Sequence, residues 1–474
     1  VRILSQIFLY LSSLWLGISP AISQFTEGVI GQPVSFLPHQ VQTNADKTIS
    51  RLIYRGLFKY DIYGSLVPDL AETWSISEDG LIYTIKLKNG QKWSNGKPIT
   101  ADDLIYTSYK VANLSGVGTD KVDDLTVRYY LPNKYSPFLD LLTIGVMPDQ
   151  AEEHGKPLNP VSSGPFKVVR IEKSGVTIRE VDLVHSNPNL GIRKLAFRFY
   201  ANEEELITAS KLGEVDGFSS AKDYEIEGFE EYDYPMQGVY YALYFNLRDE
   251  KYQDAELRKA LRSVLPVEQL IFDRGITVQG PISRTQYTDR NLDFDHYDEL
   301  FSYDYSDIIV EITVPDIKAH RKLVEDIAHL WEVKLKLEVN ITEYDPEKII
   351  DDVIKPRNFE ILFYGQEVGR DPDRYVNWHS TQKEYPRLNI SGYEQVRADR
   401  ALEEGRISTD ENDRKVHYNG FQTVVEQDAP VIFLYHPFSK YYVSQYVSGI
   451  GEKYTFSISD LFLDFENWKR VKTN

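Results

Sequence analysis

Several groups of residues carry spacings that could do chemistry, and each stops short of it. Gly90 to Lys97 has the glycines and lysine of a phosphate-cradling loop. Five residues separate its glycines instead of four, and Pro98 stands where the magnesium-binding hydroxyl would be. Gly217-Phe218-Ser219-Ser220-Ala221 approaches a nucleophile elbow but lacks the second glycine that tightens the turn, so its serines read as loop residues. His320 and His329 lie nine residues apart on one expected helix, whereas a helical zinc pair needs i, i+4 spacing, so they read as surface or internally satisfied histidines. Asp102-Asp103, Asp123-Asp124 and Asp351-Asp352 are adjacent acids in a chain holding 72 acidic residues, and solvated faces explain them better than acid/base pairs. The absence of cysteine removes thiolate nucleophiles, disulfides, iron-sulfur clusters and cysteine-based zinc sites. No catalytic residue, no cofactor and no metal is the expectation.

Composition points the same way. The 53 basic and 72 acidic side chains leave a net charge of −19, which repels phosphate backbones and anionic lipid, so no nucleic-acid partner is expected. Tyrosine is abundant, 33 against 22 Phe and 6 Trp. A flat apolar ring with a hydroxyl handle suits a pocket that accepts varied ligands, although packing explains any single Tyr equally well.

The elements that must position such a pocket can be read from periodicity. At about 150 residues per domain, 474 residues predict about three lobes. The chain opens with Val1-Arg2, an apolar run from Ile3 to Ile18, and the small residues Ser19-Pro20-Ala21-Ile22-Ser23, a pattern that predicts an export signal cleaved before Gln24. Without a cysteine at the cleavage point there is no lipid anchor, and no later segment is apolar enough to span a bilayer. Ile49, Leu52, Ile53 and Leu57 recur at helical spacing; Leu81, Tyr83, Ile85 and Leu87 alternate as a half-buried strand. Thr100 with Asp103 forms a capping-box pattern for a helix whose buried side is Leu104, Ile105 and Tyr109. Asn202 caps a helix that Gly213 stops. Strands Ile308 to Val314, Val333 to Ile341 and Phe359 to Phe363 alternate with helices Ile317 to Trp331 and Pro346 to Ile354 as an α/β unit. Such units hold ligands at the carboxyl ends of their strands, so the loop from Tyr364 to Tyr375 is expected to face a cleft.

One stretch is more specific. Leu66-Val67-Pro68-Asp69-Leu70-Ala71-Glu72-Thr73-Trp74, together with Ser77-Glu78-Asp79-Gly80-Leu81-Ile82-Tyr83-Thr84 and the run Leu87 to Asp103, resembles the signature region of the family 5 extracellular solute-binding proteins, the peptide- and nickel-binding receptors of ABC importers. Further echoes follow in family order: Ser163-Gly164-Pro165-Phe166-Lys167, Gly213-Glu214-Val215-Asp216, Leu257-Arg258-Lys259-Ala260-Leu261, Asp371-Pro372-Asp373 and Asp428-Ala429-Pro430.

The resemblance implies an α/β, bilobal periplasmic-binding-protein type II fold with a hinge and an extra inserted domain. On this chain it maps as a signal peptide at 1–23, a first lobe of 24–47, 151–240 and 436–474, the extra domain at 48–150, and a second lobe at 241–435, with hinge strands Tyr240 to Asn246 and Val431 to His436. It implies a monomeric, exported, periplasmic or envelope-associated receptor that captures a peptide or other small solute by lobe closure and delivers it to an importer permease. An exported peptide sensor or chaperone uncoupled from transport is the alternative. Peptide-binding relatives place an acid a few positions before the Asp-Pro to hold the ligand's ammonium. Here Val368 stands nearest that place, with Glu367 beside it and Asp371 and Asp373 beyond, any of which can serve. Tyr364 opens the same loop; Trp378 is either an aromatic wall of the pocket or a structural core residue.

Overall fold

The strand Val431–Ser444 organises the molecule. In the computed structural model, which describes residues 23–149, 151, 156–283 and 305–471, this 14-residue strand takes partners from two different regions. Its first half pairs antiparallel with Val239–Phe245 and Gly275–Thr277, its second half with Phe229–Pro235 and Gly217–Ser220. Outward from the first half the sheet continues through Ile361–Glu367, Ile309–Pro315 and Glu338–Tyr344, the last three parallel to one another. Outward from the second half it continues through Gln24–Ile30, Lys194–Tyr200, Thr177–His185 and Phe166–Ser174. The expected export signal lies in residues outside those described, except Ser23. No helix of the described residues is long and apolar enough to cross a membrane.

The chain passes between these halves twice, through Met236–Gly238 and along Val431–Ser444. Pro437, which has no N–H to give a ladder, sits where the long strand changes partners, and its carbonyl accepts from Met236 N at 2.8 Å. Gly238 donates to Phe456 O at 2.9 Å, and a Cβ there would stand 2.5 Å from that same oxygen, so only glycine permits the approach. His436 Nδ1 meets Val239 O at 2.7 Å and ties the two passages together.

Side-chain alternation distributes the core. Along Val239–Phe245, Leu243 and Phe245 join a cluster with Ile312, Ile327 and Trp331, while Tyr240, Ala242 and Tyr244 enter one with Trp378, Phe421 and Phe433 on the other face. A four-stranded antiparallel sheet, Ala71–Ile76, Ile82–Leu87, Thr126–Tyr130 and Gly118–Asp123, carries helix Ala101–Lys110. Its inward residues Tyr83, Ile85, Leu87, Val127 and Tyr129 share a continuous core with Phe25, Leu195 and Trp468.

Several expectations need correction. Tyr109 is 87% exposed: the buried side of its helix is Ala101, Leu104, Thr107 and Ser108, and Tyr109 lies five residues beyond Leu104, off that face. Asp103 is a buried cap, not a solvated acid, since its carboxylate accepts from Thr100 N, Asp149 N and Trp93 Nε1. Ser219 and Ser220 belong to the strand Gly217–Ser220, paired with Tyr441 and Lys440, and not to a loop. Helix Lys318–Leu335 runs past Trp331 to a left-handed cap at Lys336, which shortens the next strand to Glu338–Tyr344. The expected helix Pro346 to Ile354 is a single π turn, Ile350–Ile354. Strand Ile361–Glu367 extends beyond Phe363 and absorbs Tyr364. His320 is packed between the rings of Tyr241 and Phe363, where burial pushes its pKa down to about 4 and keeps it neutral, while His329 is exposed.

Glu27, in strand Gln24–Ile30, is buried with the Tyr441 hydroxyl donating to Oε2 at 2.9 Å. Burial pushes its pKa up to about 8 from 4.5; the Tyr441 bond opposes the rise and Asp216 adds to it. The folded state therefore holds a proton that the unfolded chain releases. Its contribution is fully present below pH 4.5 and is lost as the pH climbs toward 8. Glu27→Gln keeps the acceptor for Tyr441 and removes the titration. Thermal unfolding should show the variant stabilised by up to about 3 kcal/mol at pH 7 and matching the parent near pH 4. Parallel pH profiles for the two proteins would show that Glu27 does not titrate on unfolding.

Candidate ligand-binding site

A cavity of about 640 Å³ opens between the small antiparallel sheet and the second half of the chain. One wall carries Tyr60, Trp74, Tyr83 and Asp140; the other carries Asp371, Pro372, Glu411 and Arg414; Tyr454 joins from the C-terminal segment. Tyr60 ends strand Phe58–Tyr60, which pairs with Leu66–Pro68, and Gly64 turns the connection at φ 79°. Trp74 meets the Phe58 ring edge-on, with ring centroids 5.0 Å apart. Asp140 sits on the one-turn helix Phe138–Leu141 and accepts a hydrogen bond from the Tyr60 hydroxyl.

The opposite wall is the loop that follows Ile361–Glu367, at the carboxyl ends of the parallel strands. Its own side chains fold it: Asp371 Oδ1 accepts from Asp373 N at 2.9 Å, and Asp373 Oδ1 accepts from Tyr375 N at 3.0 Å. Each acid has an arginine partner. Arg414 Nη2 lies 2.6 Å from Asp371, and Arg406 Nε lies 3.1 Å from Asp373. Burial raises the pKa of Asp373, with the Arg406 charge opposing. Arg374, fully buried, donates from Nε to Pro281 O and from Nη1 to Asp371 O, clamping the loop from beneath. Arg370 reaches across to Asp460, its guanidinium lying over the rings of Tyr60 at 4.6 Å and Phe456 at 4.7 Å.

These positions sort the residues expected from the sequence. Asp371 lines the cavity, already paired; Asp373 lies behind it, spent on Arg406. Glu367 is the last residue of its strand, opposite Val239, and is exposed away from the cavity lining. Tyr364 is half-buried against the core cluster that holds Trp378, and Val368 N donates to Gly238 O at 2.9 Å. Trp378 is 2% exposed amid Tyr393, Phe421 and Phe433, so it is a core residue and offers no face to the cavity. Sequence reasoning missed Tyr60, Asp140, Glu411, Arg414 and Tyr454, all of which line the cavity. Trp74 stood in a quoted motif without a role, and the excess of tyrosine was the one signal pointing to the aromatic wall.

Two halves joined by two crossings, with an aromatic and charged cavity beside them, define a two-lobed α/β binding protein. The chain belongs to the bacterial extracellular solute-binding proteins, family 5, whose profile matches residues 65–383. It is 23% identical over 469 residues to the oligopeptide-binding protein AppA of Bacillus subtilis, covering 86% of this chain and 85% of that one. It is 20% identical over 481 residues to the periplasmic oligopeptide-binding protein OppA of Escherichia coli, covering 88% and 87%. The crystal structure of the ABC transporter substrate-binding protein CtaP of Listeria monocytogenes superposes with a TM-score of 0.80 at 22% identity, over 95% of this chain and 99% of that one. The family is one of binding proteins, not enzymes.

Proposed function

We propose that this chain is the solute receptor of an ABC importer, exported to the periplasm or cell envelope, that captures an oligopeptide- or dipeptide-like ligand by closing its lobes and delivers it to the permease. The observation that carries the reading is the cavity: about 640 Å³, walled by aromatic rings and a few charged groups contributed from both sides of the two crossings. That volume falls within the roughly 300–1,000 Å³ of small-ligand pockets. The names of the relatives, both oligopeptide-binding proteins, support the ligand class.

The layout supports capture by closure. A solute touching Tyr60 and Trp74 on one wall gains Arg414 and Glu411 on the other only when the walls approach, so binding shifts the population toward the closed form. Taking the equilibrium from about 1:99 to 99:1 requires a preference of about 5.5 kcal/mol for the closed state. Peptide main-chain hydrogen bonds made in a desolvated cavity, with side chains left in roomy hydrated space, supply such a preference without reading sequence.

Thermal unfolding of the chain from Gln24 onward, against di- to octapeptides, free amino acids, sugars and nickel chelates, tests this. At a hundred times its dissociation constant a true ligand adds about 2.7 kcal/mol, read as a raised midpoint. A rise confined to peptides is expected. A rise confined to another solute class would overturn peptide capture.

A further inference from the structure

Two carboxylates of the cavity lining, Asp140 and Glu411, form no ion pair among the described residues; Glu411 is exposed to solvent, whereas Asp140 is half-buried. Asp371 is paired with Arg414, Asp373 with Arg406, and Asp460 with both Arg51 and Arg370. Asp140, half-buried in the cavity wall, takes a hydrogen bond from the Tyr60 hydroxyl and forms no ion pair among the described residues. The arginines nearest to it, Arg370 and Arg414, are already spent on Asp460 and Asp371. A carboxylate partly withdrawn from water with no direct ion pair is costly, and the cost is recovered when a cation completes the pair.

We propose that Asp140 is the anchor for the ligand's ammonium group, set in the small-sheet wall of the cavity and framed by the rings of Tyr60, Trp74, Tyr83 and Tyr454. This rests on the reading of the cavity as the capture site. The surrounding rings reinforce the chemistry, because an alkylammonium is drawn to aromatic faces as well as to the carboxylate. The ligand's amine end is then held by one wall before closure, and the rest of the ligand meets Asp371, Glu411 and Arg414 as the other wall arrives.

The anchor also carries a pH signature. Burial pushes the Asp140 pKa up to about 6; Asp371 adds to the rise, while the Tyr60 hydrogen bond, Arg370 and Arg414 oppose it. Glu411 is the other acid on the cavity wall. A cation binds the ionised form, so affinity for an amine should fall as the pH drops through about 6, approaching tenfold per unit below it.

The test titrates the chain from Gln24 onward with peptides lacking basic side chains, each as the free amine and N-acetylated, and with agmatine and putrescine as simple cations, for the wild type, Asp140→Asn and Tyr60→Phe. Acetylation should weaken binding tenfold or more in the wild type and less than about twofold in Asp140→Asn, while Tyr60→Phe, which keeps the carboxylate, should still discriminate. If free and acetylated peptides bind alike, or if Asp140→Asn discriminates as the wild type does, the anchor is overturned and peptide capture stands. If no peptide binds but agmatine or putrescine binds in an Asp140-dependent way, the anchor stands and peptide capture falls. If nothing binds, both fall. Should Asp140→Asn not fold, the wild type decides: discrimination that strengthens with pH through about 6 supports the anchor, and a flat profile overturns it.

Discussion

Replacing Asp460 by alanine is expected to cost about 3–5 kcal/mol of stability, because it strands two arginines and two amides at once. Asp460 is fully buried at the third position of the turn Ile458–Phe462, where it completes a capping box with Ser457. Its Oδ2 accepts from Phe456 N at 2.9 Å, from Ser457 N at 2.8 Å and from Arg370 Nη2; its Oδ1 accepts from Arg51 Nη1 at 2.6 Å. Arg51 is partly exposed and can rehydrate, whereas Arg370, pinned between two rings, cannot without breaking the bridge it forms between the loop after Ile361–Glu367 and the C-terminal segment. Burial alone would raise the Asp460 pKa; Arg51, Arg370 and the two amides outweigh it, and the net shift is downward. With the folded pKa depressed, the contribution is present above the ordinary value of 3.8 and is lost as the pH falls below it. Denaturant unfolding at pH 7 should show the full loss in Asp460→Ala and a smaller one in Asp460→Asn, which retains acceptor capacity for the amides. The gap between wild type and Asp460→Ala should narrow below pH 3.8. A loss under 1 kcal/mol for Asp460→Ala would mean that the two arginines find water without it.

What was legible in the sequence was local. The Thr100 and Asn202 caps lie where hydrogen bonding within three residues dictates them, and the alternation of Tyr83, Ile85 and Leu87 places those side chains inward as expected. The α/β unit was legible because its helices and strands differ in period. Its boundaries were not: Val333 to Leu335 is apolar enough for either state, and the helix continues because Leu335 packs into the cluster around Trp331, beside Leu337. The cavity was the least legible feature. Tyr60, Asp140 and Arg414 meet only through the tertiary fold, and Asp140 is one acid among 72 until the structure shows Asp371 beside it paired with Arg414 while Asp140 has the Tyr60 hydroxyl and no ion pair among the described residues. Conversely, Asp371 and Asp373 looked free because a sequence does not show that Arg414 and Arg406, more than thirty residues away, will neutralise them.

Trp378→Ala should lower stability by about 3–5 kcal/mol while leaving ligand affinity of the folded fraction within twofold of the wild type. The indole is 2% exposed, with the rings of Tyr393, Phe421 and Phe433 at 5.9, 6.0 and 5.9 Å, so truncation leaves a void bounded by rigid aromatic neighbours that cannot collapse to fill it. Two further bonds fix its surroundings: Asn389 Nδ2 donates to Trp378 O at 3.1 Å, and Trp378 N donates to Arg374 O at 3.0 Å. The residue thus joins the loop bearing Asp371 to the core behind the cavity. Trp378→Phe, which conserves most of the volume, should recover much of the loss. Unfolding measured beside titration with whichever solute raises the melting midpoint separates the roles. A core residue moves the first and not the second, whereas a tenfold loss of affinity in Trp378→Phe with stability intact would make the indole a wall of the site.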